Sequence, residues 1–154
     1  MELSAAMNEM PTGKAMLQDI QVSDGDVKLL AEIGLSAAVR GSGDAARPIF
    51  EALAAIRPDN PIAAIGRALG EISAGRPQQA IAGLRRSGAI ANADDGPEEV
   101  QAILLIALCL SGEQTDAARL CKRLLDQGSG PSRKIAHRMK SVIDASLPSP
   151  ASAH

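Results

Sequence analysis

Residues 40–60 read RGSGDAARPIFEALAAIRPDN, and the fold turns on what Gly41-Ser42-Gly43 is for. A phosphate loop of the P-loop kind needs a spaced second glycine followed by Lys and Ser or Thr, so that backbone N–H groups and an ammonium converge on the anion. None of these residues follows here. The dinucleotide fingerprint needs a β-strand ahead of its glycines, whereas DVKLLAEIGLSAAVR (26–40) has helical spacing at Leu29, Leu30, Ile33 and Ala37. The stretch instead recurs. Gly41 stands five residues before Ala46, and the same spacing separates Gly75 from Ala80 and Gly112 from Ala117, with the glycines 34 and then 37 residues apart. A helical run precedes each glycine and a second one follows it. The glycine lets the chain leave the first helix through positive φ, and the alanine is small where the two helices cross. Gly41 is a turn residue.

A period of 34 residues is that of the tetratricopeptide repeat. The expected fold is all-α, with three such hairpins in a right-handed solenoid, an N-terminal arm and a C-terminal capping helix. Composition agrees: 45% of the 154 residues are hydrophobic, strand-like runs are absent, and the length suits one domain. One Phe and no Tyr or Trp remove the stacking platform of single-stranded nucleic-acid binders, and a net charge of −2 removes the electrostatic footprint, so no nucleic-acid partner is expected. The longest apolar run, AILLIALCL (102–110), is too short to span a bilayer. MELSAAMNEM lacks a basic start and an apolar signal core, which predicts a cytoplasmic chain with no membrane insertion.

Cys109 and Cys121 form no C-x-x-C pair, and with only His137 and His154 elsewhere they supply no four-ligand zinc set. They read as buried free thiols. Glu51, Glu71 and Asp94-Asp95 read as solvated faces and a loop. No catalytic constellation emerges, and neither an enzyme nor a cofactor is expected.

Residues 1–25 form the arm, in which Met7, Met10, Met16, Leu17 and Ile20 suit one or two short amphipathic helices broken at Pro11-Thr12-Gly13. Too short to fold alone, the arm is expected to dock on the first repeat or on a second copy of the protein. Ser23-Asp24-Gly25-Asp26 reads as a helix cap. The repeats (26–128) span 27–60, 61–94 and 98–128, with a polar loop in SGAIANADDGP (87–97). The capping helix takes 129–147, where Ile135, Met139, Val142 and Ile143 can cover the open end of the stack. Residues 148–154 are a tail expected to be disordered. Four basic residues between Arg133 and Lys140, against Asp144, give the last helix about +3, which a solvated cap or an acidic partner would explain.

The repeat pattern expects Leu30, Ile33, Gly34, Ala37, Ala46, Phe50 and Leu53 to pack the first hairpin. It expects Leu104, Leu105, Leu108, Ala117, Cys121 and Leu124 to pack the third. The second departs, because its packing positions hold Ala64, Arg67, Ala68 and Glu71, while Ile62, Ile65, Leu69 and Ile72 fall on groove positions within an arc of about 80°. This stripe is either core in a rotated helix or a concave partner site. In the second case it would meet Leu35, Val39, Ile106 and Leu110 and take an extended or helical segment.

The segment from Leu29 to Leu125 resembles the small tetratricopeptide chaperones of bacterial type III secretion systems. The likeness is carried by A-x-x-I-F-E-A-L-x-x-I-R-P (46–58), I-G-x-A-L-x-x-x-x-A-G-R-x-x-x-A-I (65–81) and SGAI (87–90). The resemblance implies a cytoplasmic holdase that keeps a secreted translocator or needle-type subunit unassembled, with a co-chaperone or homodimer contact through residues 1–25. A general repeat adaptor that holds a folded partner in a larger complex is the alternative.

Overall fold

The computed structural model describes residues 21–87 and 96–147. Most of the expected arm (1–20), the loop 88–95 with its Asp94-Asp95 pair, and the tail 148–154 lie outside the described residues. Within them the protein is all-α, with helices α1 (Asp24–Val39), α2 (Gly43–Ile56), α3 (Ile62–Ser73), α4 (Pro77–Arg86), α5 (Glu98–Ser111), α6 (Gln114–Gln127) and α7 (Gly130–Ser146). None is long and apolar enough to cross a membrane.

The helix ends follow local chemistry. Ser23 and Asp26 close a capping box on α1: the Asp26 N–H donates to Ser23 Oγ at 3.2 Å, and the Ser23 N–H donates to Asp26 Oδ2 at 3.1 Å. The Ser23 hydroxyl also donates to Asp26 Oδ2 at 2.7 Å, and this bond first, with the one from the Ser23 N–H, holds the Asp26 carboxyl below its ordinary pKa. One turn is then built three times. Gly41, Gly75 and Gly112 all take positive φ (85°, 76° and 77°). In each case the residue after the glycine donates its N–H back to a carbonyl of the last helical turn: Ser42 to Ala37 at 2.9 Å, Arg76 to Glu71 at 2.8 Å, Glu113 to Leu108 at 3.0 Å.

Such short turns force each pair of helices to fold back on itself. Every helix packs on its chain neighbours, and the odd helices also pack on one another in succession, α1 on α3, α3 on α5 and α5 on α7. The even helices α2, α4 and α6 do not touch one another. The odd helices thus form a continuous row, with the even ones separate along it.

Crossing alanines Ala46, Ala80 and Ala117 are all essentially fully buried. Phe50, on α2, is the hub of the first core, which holds Val27, Ala31, Ala38, Ala46, Leu53 and Ala63. Its ring occupies the space where side chains of Gly34 on α1 and Gly66 on α3 would stand, for a Cβ on Gly66 would meet Phe50 Cε1 at 2.0 Å. The larger second core is built on Val100, Leu104, Leu105 and Leu108 of α5, with Leu84, Leu120, Leu124 and Ala136 around them.

In α5 and α6 the expected packing residues are all buried. In α1 the register differs by about one residue. Val27, Ala31, Gly34 and Ala38 are buried, whereas Leu30 and Ala37 are half-buried and Ile33 is exposed. The cause is the close hairpin crossing at Gly34, where an added Cβ would meet Phe50 and Ile49 and only small side chains fit.

Candidate functional site

The three turn glycines give a common frame for the odd helices. Leu35, Leu69 and Ile106 each lie six residues before their glycine and are all half-buried, so they occupy corresponding positions on the three odd helices. Val39, Ser73 and Leu110 each lie two residues before it and are all exposed, Val39 by 65% and Leu110 by 59%. The exposed pair is therefore an apolar residue on α1 and another on α5, with a serine between.

The middle-helix stripe is neither free surface nor deep core. Ile62 and Leu69 pack partly buried against the first core, and Ile65 and Ile72 against the second, so the stripe straddles the seam between them. Leu35 also leans on the first core. These residues support the row as much as they present it. Val39 and Leu110 present the most apolar surface of the eight.

A concavity of ≈540 Å³ opens between α2 and α4 over α3. Its floor is Ala64 and Ala68, and Arg47, Arg67 and Arg86 line it. The frame explains it. At Arg67 and Glu71, eight and four residues before Gly75, α5 carries the fully buried Leu104 and Leu108. Small and charged residues leave open what leucines fill. Four charges brace one flank: Arg76 Nε meets Glu71 Oε2 at 2.6 Å and its Nη2 meets Asp44 at 3.4 Å, while Arg47 reaches Asp44 at 3.1 Å and Glu71 at 3.5 Å. The Glu71 hydrogen bond holds the Arg76 guanidinium above its already high pKa.

The thiols offer no activated nucleophile. Cys121 is buried and its Sγ–H donates to the Ala136 carbonyl at 3.3 Å. Burial pushes both thiols up, and Cys109, half-buried, is raised further by Cys121. Among the described residues no three His, Cys, Asp or Glu side chains gather as a metal site would require.

Comparison with protein-family models, curated proteins and solved structures finds no match for this chain.

Two features were missed from the sequence, one of which could have been found. The exposed Leu29 and Ile33 were legible in the glycine frame, because they fall where α5 buries Val100 and Leu104. The charge cluster was not legible, because Asp44 and Arg76 are 32 residues apart and meet only through packing of the hairpins.

Proposed function

We propose that this protein is a tetratricopeptide-like helical-repeat chaperone that holds an apolar helical or extended segment of a secreted protein along its odd-helix row. The observation that carries this is the repeated position of Leu35, Leu69 and Ile106 on successive odd helices, with Val39 and Leu110 exposed four residues on. A row of helices presenting apolar side chains at corresponding positions offers a trough, and a trough takes a chain segment better than a compact ligand. The client proposed is a type III secretion subunit, of translocator or needle type, kept unassembled in the cytoplasm. Its apolar segment would otherwise aggregate. The test is a panel of short peptides tiled across such subunits, titrated against the full chain by fluorescence anisotropy. Binding should concentrate on apolar helical segments, persist in high salt and keep the parent subunit soluble.

The arginine-lined cleft favours a second reading, a repeat adaptor that docks an acidic surface of a folded partner. The two readings separate by salt. Capture by Arg47, Arg67 and Arg86 weakens steeply with ionic strength, and capture by an apolar row does not.

A further inference from the structure

The same frame reveals an unfinished end. Positions twelve and five residues before the turn glycine are those by which an odd helix meets the hairpin before it; position eight joins them in α5 but is the exposed Arg67 in α3. In α3, Ala63 belongs to the first hairpin's core, and Gly70 lies against the backbone of Gly43 on α2. In α5, Val100, Leu104 and Ala107 are 0% exposed and share a core with Ala80, Ile81 and Leu84 of α4. In α1 the same positions hold Leu29, Ile33 and Ser36, with Leu29 56% and Ile33 50% exposed. They border an open depression of ≈510 Å³, shared with Ala37 and Arg40. The opposite end of the stack is finished differently. There α7 buries Ala136 and Ile143 and leaves Arg133, Lys134 and Arg138 exposed.

We propose that residues 14–20 of the same chain, KAMLQDI, cover this face and take the place that the preceding helix takes on α3, α5 and α7. The packing order supports that occupant: α3, α5 and α7 each pack on the helix directly before them in the chain, and directly before α1 stand these residues. The join is anchored. Val22 is half-buried against the first core, its carbonyl accepts from Arg57 Nη2 at 3.2 Å, and the same guanidinium pairs with Asp24 at 3.2 Å. The chain therefore reaches α1 still in contact with the first hairpin. At helical spacing Met16, Leu17 and Ile20 fall within about 100° of arc. Folded back antiparallel from the 21–23 connection, seven helical residues span about 10 Å and reach past Leu29, which stands about 7.5 Å along α1 from Asp24. Residues 21–23 are a connection of ordinary length for two antiparallel helices. Methionine adapts well to such a shallow seat. The proposal does not depend on the identity of any client.

The test uses the full-length chain in two ways. With Cys109 and Cys121 changed to alanine, Leu17→Cys and Leu29→Cys are combined and mildly oxidised. A cross-linked product of monomer mass is expected. With the native cysteines kept, Leu17→Ser, Leu29→Ser and the pair are melted. Each single change should lower the midpoint by about 3–8 °C, and the pair should lower it by clearly less than the sum, as contacting residues do. A cross-link of dimer mass with a concentration-dependent melt would give the face to a second copy and overturn the proposal. Absence of a cross-link with additive shifts would leave the face to solvent and overturn it equally.

Discussion

Changing Gly66 to Ala tests the joint between the first and second hairpins. An added Cβ would stand 2.0 Å from Phe50 Cε1 and 2.2 Å from Cζ, against an ordinary contact of 3.4–4 Å, so the ring must retreat by roughly 1.4 Å. It has no room, because Phe50 is 1% exposed and its ring also fills the space a Cβ on Gly34 would need. The opposing term is helix propensity, where Gly to Ala gains about 1 kcal/mol. Overpacking of this severity costs more, and the expected net loss is about 1–3 kcal/mol, a fall in melting midpoint of about 3–9 °C for a chain this size. Gly83 is the control. It sits exposed on α4 with nothing within 4 Å of the added Cβ, so Gly83→Ala should gain about 0.5–1 kcal/mol. Phe50→Leu in the Gly66→Ala background should recover part of the loss, since it shortens the obstructing group. Thermal and urea melts followed by circular dichroism read all three. If Gly66→Ala stabilises as much as Gly83→Ala, Phe50 does not fill the seam, and the packing of α3 on α2 is wrong.

Three further outcomes are expected. Ala46→Leu, Ala80→Leu and Ala117→Leu should each destabilise by about 1–3 kcal/mol, since all three alanines are buried at hairpin crossings; urea midpoints decide, and three unchanged values would refute the crossings. Asp26 has a depressed folded pKa, so the stability it lends is present above its unfolded pKa of 3.8 and is lost as pH falls through the folded value. Ser23→Ala should lower the melting midpoint at neutral pH and flatten its decline at acid pH, read by melts from pH 2 to 7. The two thiols have raised folded pKa values, so their contribution is full below the unfolded pKa of 9.0 and is lost as pH rises through the folded values. Thiol labelling at pH 8 should be slow in the native chain, slowest at Cys121, and fast in denaturant.

What could be read from the sequence was whatever is repeated or local. The turn glycines, the crossing alanines and the capping serine each do their work within a few residues, and the structure has them in those places. Leu104, Leu105 and Leu108 were equally legible, because they fall on the packing positions of the repeat, and all three are buried. The burial register of α1 was not. Apolar residues lie on every side of DVKLLAEIGLSAAVR, so periodicity alone cannot choose a face, and the choice fell to the close crossing that admits Ala31, Gly34 and Ala38. The stripe on α3 kept its ambiguity for a similar reason. Ile65 and Leu69 rest on different cores, a fact set by how hairpins stack and not by spacing within one helix.

The most direct measurement of the central claim is the affinity of a Val39→Ser/Leu110→Ser chain for the tightest peptide of the panel, taken beside its melting curve. Both side chains are more than half exposed, so the melt should match the parent within about 1 °C, whereas Ile65→Ser/Leu69→Ser should melt several degrees lower because those residues brace the two cores. Affinity for the Val39/Leu110 variant should fall at least about tenfold, as loss of apolar anchors does. An unchanged melt with undiminished affinity would contradict the claim that the odd-helix row holds the client.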